Sequence, residues 1–209
     1  MLRSALFAFA FFTISGMAHA QKYVFYLHGK ILEDQGPNAS NEAFGKYEYE
    51  NILAGFREEH FVVLSECRKP NTDVKEYAHK IVLQIDSLLK AGALPGNITV
   101  VGASKGAAIA MCVSTYLNNP KVNFVFMSSC NDYVLTSFPD IAFSGNILSI
   151  YEKSDQGNQS CDKMKNKSAR SMPHYKELEI NTGLQHGYLY KPISEWMTPV
   201  VKWANGNYN

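Results

Sequence analysis

The sequence has almost no net charge and lacks the common motifs for binding a nucleotide or a metal ion. Its 209 residues carry 20 Lys and Arg against 19 Asp and Glu. This balance gives no electrostatic reason to expect nucleic acid or an anionic membrane as a partner. The sequence contains no G-x-G-x-x-G fingerprint, no Cys-x-x-Cys pair and no Cys/His cluster. No metal ion or organic cofactor is therefore implied.

The longest apolar run lies at the N-terminus. Arg3 precedes an apolar stretch from Ser4 to Ser15, and Met17-Ala18-His19-Ala20 then ends in small residues. This order is typical of a secretory signal peptide, and the stretch is short for a membrane span. We expect residues 1–20 to be removed, leaving an exported chain, periplasmic or extracellular, that is not held in a membrane. An uncleaved N-terminal anchor is the alternative.

Cysteines are few, and their pairing is not determined by the sequence. They are Cys67, Cys112, Cys130 and Cys161. Disulfides can form in an exported chain, and four cysteines allow three full pairings. Cys112 lies in an apolar helical stretch, which suggests a buried free thiol. Cys130 and Cys161 each follow a predicted strand at the same sheet edge, which favours that pair.

Short apolar runs alternate with amphipathic stretches along residues 21–209. This alternation favours a parallel sheet covered by helices on both faces, in a single domain. The clearest helix starts at Asp73, with Glu76 as the partner in a capping-box pattern. Predicted strands are 23–27, 61–64, 98–101, 122–127, 146–151 and 176–180, and the other predicted helices are 47–58, 107–117 and 193–204. Residues 30–45, 131–145 and the basic run at 163–170 are predicted to be loops.

A Gly-x-Ser-x-Gly pattern follows the third predicted strand. Gly102-Ala103-Ser104-Lys105-Gly106 lies between an apolar strand and a helix of small residues, as a nucleophile elbow does. In such an elbow Ser104 adopts a strained positive φ, and Gly102 and Gly106 let the strand and helix approach closely. The order Ser-Lys-Gly does not fit a phosphate-binding loop. The alternative is an ordinary turn with an inert serine.

His186 and Asp155 are the candidates for the base and the acid that a catalytic serine requires. His186 lies after the last predicted strand and before the last helix, so its loop can reach the elbow. Asp155 follows the fifth strand and would orient the imidazole and balance its charge. Glu152 lies too close to the strand end, and Asp162 too far into the loop. Asp132, after the fourth strand, remains the alternative acid.

Two backbone N–H groups are expected to stabilise the negative oxygen of a tetrahedral intermediate. One belongs to Lys105, directly after the candidate nucleophile. The second belongs to Lys30, in the loop after the first strand, where Gly29 lets the backbone approach. His28 is interpreted as a residue that shapes this loop. A simple turn at the end of the strand is the alternative interpretation of His28-Gly29.

These features together resemble the α/β-hydrolase superfamily, in particular its small dienelactone-hydrolase-like and carboxylesterase-like members. The resemblance rests on His28-Gly29, the elbow at 102–106, Asp155 and His186-Gly187, and it spans nearly all of residues 21–209. It implies a three-layer α/β fold. The antiparallel strands that usually open this fold are missing, so we expect a trimmed, mostly parallel sheet of about six strands. No insertion long enough for a helical cap follows the fourth strand, so the site is expected to be open and shallow.

The resulting hypothesis is a serine hydrolase that acts on a small-molecule acyl substrate. It would cleave a carboxylic ester or thioester through an acyl-enzyme on Ser104. The same residues suit an amide or peptide hydrolase, and a binding protein built on a hydrolase fold is a third interpretation. The full set of Ser, Asp and His favours an enzyme, because a binding protein has no need for it. The sequence leaves the substrate and the oligomeric state open.

Overall fold

A six-stranded sheet with helices on both faces organises the chain. The computed structural model describes residues 21–157 and 159–209, so the expected signal peptide lies outside the described residues. The strands are β1 (Tyr23–Leu27), β2 (Ser40–Asn41), β3 (Gly45–Lys46), β4 (Val62–Leu64), β5 (Ile98–Ala103), β6 (Asn123–Met127), β7 (Asn146–Glu152) and β8 (Tyr175–Ile180). The α-helices are α1 (Lys30–Gln35), α2 (Tyr49–Glu58), α3 (Val74–Lys90), α4 (Lys105–Leu117), α5 (Asp132–Ser137), α6 (Asp162–Lys167) and α7 (Ser194–Ala204).

The strand order of the main sheet is β4-β1-β5-β6-β7-β8, and every neighbouring pair is parallel. The expected trimmed sheet of six strands is therefore confirmed. β2 and β3 form a separate two-stranded antiparallel ribbon. Because all six strands of the main sheet run the same way, their carboxyl ends meet at one edge, where sites form in this architecture. The loops after β1, β5, β7 and β8 all leave from that edge.

Two hydrophobic cores lie on opposite faces of the sheet. Successive side chains of a strand point to opposite faces, and β5 shows this clearly. Val101 packs into the core that contains α2 and α7, whereas Val100 packs into the core that contains α3 and α4. All six residues of β5 are buried, as expected for a central parallel strand. Within the described ranges, no helix has the length and apolar character needed to cross a bilayer.

The predicted elements agree with the structure where a periodic apolar face defines them. Asp73 caps α3, and its carboxylate accepts from the N–H groups of Lys75 and Glu76, at 2.8 and 2.9 Å. The loop predictions were wrong in part, since 30–45 contains α1 and the β2–β3 ribbon. Helix α5 likewise lies within a segment predicted to be a loop, and α6 overlaps the basic run at 163–170. These helices have only six residues each, too few to show a helical period, so tertiary contacts stabilise them.

A disulfide links Cys130 to Cys161. It joins the segment just before α5 to the residue that precedes α6, so two short helices near the carboxyl edge are held together. Cys112 is free and buried, and Cys67 is free and exposed. The pair favoured from the predicted strands is therefore the one that forms.

We predict that removing this disulfide lowers stability by a measurable amount. The bridge closes a loop with a sequence separation of 31 residues. Such a cross-link stabilises a protein by about 3 to 4 kcal/mol, mainly by restricting the unfolded chain. Urea unfolding of the double variant Cys130→Ala/Cys161→Ala should show a loss of that size. Cys67→Ser serves as the control, and equal stabilities for the double variant and the control would contradict the prediction.

Candidate active site

Ser104 is the single residue between the end of β5 and the start of α4. Its backbone has φ 54° and ψ −121°, a conformation that residues with a side chain rarely adopt. The Ser104 N–H donates to the carbonyl of Met127 at 2.9 Å, which ties the turn to the end of β6. The side chain is half-buried at the carboxyl edge of the sheet. The turn therefore has the sharp geometry that presents a serine hydroxyl.

Two glycines allow this turn because backbone atoms occupy the space where a side chain would be. A Cβ on Gly106 would lie 1.8 Å from the carbonyl oxygen of Leu27, and a Cβ on Gly102 would lie 2.4 Å from the Gly106 oxygen. A Cβ on Gly29 would lie 3.6 Å from the Ser104 Cβ. The loop after β1 therefore runs directly beside the elbow.

His186 and Asp155 are paired at the same edge of the sheet. The His186 ring nitrogen Nδ1 lies 2.7 Å from Asp155 Oδ2. Asp155 follows β7, and His186 lies in a 3₁₀ turn, Gln185–Tyr190, that follows β8. The imidazole is 28% exposed and the carboxylate 10% exposed, so the pair is sheltered yet reachable.

The alternative acid does not lie at this pair. Asp132 is in the first turn of α5, its side chain is 86% exposed, and it forms an ion pair of 3.4 Å with Lys163. The structure thus brings Asp155, and not Asp132, to the candidate base. A carboxylate bonded to Nδ1 fixes the orientation of the imidazole and directs the Nε2 side away from the acid.

Glu152 joins the loop of the candidate acid to the loop of the candidate base. Its buried carboxylate accepts hydrogen bonds from both loops. On the loop of the base, the donors are the N–H and hydroxyl of Thr182, at 2.9 and 2.7 Å, and the N–H of Gly183, at 3.3 Å. On the loop of the acid, the donors are the N–H and hydroxyl of Ser154, at 3.2 and 2.9 Å. Burial raises the pKa of Glu152, but these hydrogen bonds outweigh burial and lower the pKa overall. Glu152 is not the acid paired with His186, and this structural role is not among the predictions made from the sequence. In the sequence, this role is indicated only by a carboxylate at the end of a strand with the hydroxyl residue Ser154 two positions later.

His28 shapes the loop that carries the second candidate N–H donor. Its Nδ1 lies 2.7 Å from the Gly29 carbonyl, and its Nε2 accepts from the Arg68 N–H at 2.9 Å. The ring therefore carries its proton on Nδ1 and donates it to Gly29. Because a trans peptide points its C=O and N–H in opposite directions, this bond also sets the direction of the Lys30 N–H.

The two candidate N–H donors begin two helices. Lys30 is the first residue of α1, and Lys105 is the first residue of α4. The first N–H groups of a helix have no acceptor within that helix, so they are available to a ligand. The contact between Gly29 and Ser104 brings these two segments side by side. The arrangement can therefore direct two donors toward one oxygen atom bound beside the serine.

Two other histidines of the described chain stack on tyrosine rings. His79 stacks on Tyr116, and His174 stacks on Tyr208, with ring centroids 4.3 and 4.1 Å apart. In the part of the chain that the structure describes, no group of three or more His, Cys, Asp or Glu residues is arranged to hold a metal ion.

We predict that His28 makes stability depend on pH between about 4 and 6.5. Burial, and then the charge of Arg68, lower the pKa of His28 from 6.5 to about 4. In this range the unfolded chain binds a proton that folded His28 does not, so stability falls as the pH decreases. The substitution His28→Asn removes this pH-dependent contribution to stability. From pH 7 to pH 5 the stability advantage of the wild type over His28→Asn should shrink by about 2 kcal/mol in urea unfolding. A constant difference would contradict the assigned neutral state of His28.

The order of these parts along the sheet defines the class of the fold. A parallel sheet with a serine elbow after its central strand, an acid-bearing loop after β7 and a histidine-bearing loop after β8 is the α/β-hydrolase fold. No protein-family model and no curated protein matches the sequence. The similarity to known proteins described next is therefore a similarity of structure.

Solved structures with this fold cover most of the chain. Arabidopsis thaliana SOBER1 has a TM-score of 0.59 at 12% identity, over 91% of this chain and 100% of that one. Dienelactone hydrolase from Anabaena variabilis has a TM-score of 0.55 at 13% identity, over 92% of this chain and 89% of that one. An esterase from Rhizomucor miehei has a TM-score of 0.56 at 13% identity, over 90% of this chain and 76% of that one. At these identities the likeness establishes the fold.

Proposed function

We propose that this chain is a serine hydrolase that cleaves a small carboxylic ester or thioester through an acyl-enzyme on Ser104. The observation that carries the proposal is the hydrogen bond of 2.7 Å between His186 and Asp155, at the sheet edge where Ser104 adopts its strained turn. The comparisons support it, because the similar structures include a dienelactone hydrolase and an esterase.

The proposed reaction begins with attack of the Ser104 oxygen on the acyl carbon. His186 Nε2 accepts the serine proton, and Asp155 balances the charge of the resulting imidazolium. The N–H groups of Lys30 and Lys105 donate to the carbonyl oxygen as it becomes negative. The imidazolium then gives its proton to the leaving alcohol or thiol, which departs and leaves an acyl-enzyme. His186 next removes a proton from water as the water oxygen attacks the acyl carbon. The resulting imidazolium returns that proton to the Ser104 oxygen when the bond between Ser104 and the acyl carbon breaks and the acid is released.

The surroundings of the elbow favour a small, exposed acyl group. Ser104 is half-buried, and the segment between β6 and β7 contributes only the six-residue helix α5 near this edge. No long insertion there provides a deep acyl tunnel, so the proposed substrate presents its carbonyl to an open rim. An amide or peptide hydrolase would use the same residues, so the choice between these substrates is left to a direct assay.

A fluorophosphonate probe tests whether Ser104 is an activated nucleophile. The intact mass of the wild type should increase by one adduct, and Ser104→Ala should abolish labelling, because an unactivated hydroxyl reacts poorly with such probes. Ser171→Ala, at an exposed position on the surface, is the matched control and should label like the wild type. Folded wild type that takes up no label would favour a binding protein on this fold.

Paired acetyl esters, thioesters and anilides then distinguish the two enzyme interpretations. An ester or thioester hydrolase should turn over the acetyl ester with Ser104 present and leave the matched anilide intact. Equal or faster cleavage of the anilide would assign the chain to amide hydrolysis.

Substitution of the acid and the base tests their roles. His186→Ala should lower kcat by about 10³-fold or more, and Asp155→Asn by a similar order, because each disrupts proton transfer from Ser104. Asp132→Asn is the matched control and should retain kcat within about twofold of the wild type. Circular dichroism and urea unfolding verify that each variant is folded. A large loss in Asp132→Asn together with a normal Asp155→Asn would transfer the acid role to Asp132.

A further inference from the structure

Glu33 is a buried carboxylate that bridges the helices bearing the two proposed N–H donors. It lies on α1, and its side chain has no exposed surface. Its Oε1 accepts from Arg68 Nε at 2.7 Å, and its Oε2 accepts from Lys105 Nζ. Since Lys105 opens α4, one carboxylate connects α1 directly to the residue that follows the proposed nucleophile.

The two cations of this cluster extend it to the neighbouring loops. Arg68 Nη2 donates to the carbonyl of His28, and the Arg68 N–H donates to the ring of the same residue. Lys105 Nζ also donates to the carbonyl of Thr72 at 2.7 Å. The loop after β4 is therefore joined to both segments beside the elbow, the His28-Gly29 loop and the first turn of α4.

Stability alone does not account for such a cluster. Ionised groups lose favourable hydration when they are taken out of water, and well-packed apolar side chains often stabilise a protein equally well. Arg68 has no exposed side-chain surface, and within the described residues its Nη1 is buried without a hydrogen-bond partner. An unsatisfied buried donor is a further cost to folding. A buried ion cluster of this kind is therefore weak evidence for a stabilising role.

We propose that Glu33 and the side chain of Lys105 act as a positioning pair for the oxyanion site. The pair holds the Lys105 N–H and the Gly29–Lys30 peptide in a fixed relation, and the inference rests on the proposed hydrolase function. Two cations around one carboxylate also leave a local excess of one positive charge behind the donors. Both effects stabilise an oxygen that is negative only in the transition state and the tetrahedral intermediate.

This role predicts a specific separation of kinetic constants. A planar ground-state carbonyl gains little from the donors, whereas the tetrahedral oxyanion depends on their placement. Loss of the pair should therefore lower kcat and leave KM nearly unchanged. A residue that served only the stability of the fold would change the unfolding free energy, and the folded fraction would keep its kcat.

The kinetic test uses Lys105→Met, which keeps the backbone N–H and the aliphatic stem but removes the charge. With p-nitrophenyl acetate, kcat should fall by about 10-fold to 100-fold, as expected for a small misplacement of reacting groups, with KM within about twofold. Affinity for a methyl trifluoromethyl ketone, which forms a tetrahedral adduct on a serine, should fall by the same factor as kcat. Lys105→Arg, which can still pair with Glu33, should recover most of the loss.

The matched control is Lys163→Met, which removes the lysine of an exposed ion pair with Asp132. It should change neither kcat nor ketone affinity. Normal kcat in Lys105→Met and in Glu33→Gln, at full folding, would overturn the positioning role. A loss of kcat with unchanged ketone affinity, or a loss that Lys105→Arg does not recover, would also overturn it.

Hydrogen exchange gives a readout that does not depend on turnover. In Lys105→Met, amide exchange in a peptide covering residues 28–31 should become faster, although the substitution lies far away in sequence. In Lys163→Met, amide exchange in this peptide should match that of the wild type. If the wild type proves catalytically inert but residues 28–31 respond, the hydrolase function fails and the physical link between the two segments is supported. Unchanged exchange at 28–31 in Lys105→Met and Glu33→Gln would overturn the link.

Discussion

The first turn of α4 packs against the end of β1 so closely that no side chain fits between them. The Gly106 backbone lies at the Leu27 carbonyl, and Gly102 lies against the Gly106 carbonyl. Ser104, which has a positive φ, lies in the turn beside this backbone contact, and Gly29 lies next to Ser104. The candidate acid and base lie on the loops after β7 and β8, which leave the sheet at the same edge as this contact.

Two buried carboxylates hold the two halves of the site. Glu33 joins α1 to α4 on the side of the candidate N–H donors, and Glu152 joins the loops of the acid and the base. Each carboxylate accepts several hydrogen bonds, as buried charged groups must if they are not to destabilise the fold. The candidate site thus combines the partly exposed Ser104 and His186 with the buried carboxylates of Glu33 and Glu152.

The periodic elements were predictable because burial of one face leaves a clear pattern in the sequence. The β5 strand, the cap at Asp73 and the long helix α3 follow directly from apolar spacing and a capping residue. Helices α1, α5 and α6 were missed, since six residues make less than two turns. The expected signal peptide at 1–20 stays a prediction, because those residues lie outside the described part of the chain.

The sequence by itself determined the order of the strands along the chain, the glycine spacing of the elbow and a short set of candidate side chains. These follow from local rules, because turn geometry and strand periodicity depend on near neighbours. Only the tertiary structure decided that Asp155 rather than Asp132 meets His186, that Cys130 pairs with Cys161, and that Glu33 links α1 to α4. Those contacts join residues about 30 to 70 positions apart, and no local pattern encodes which of several carboxylates or thiols the folded sheet brings together.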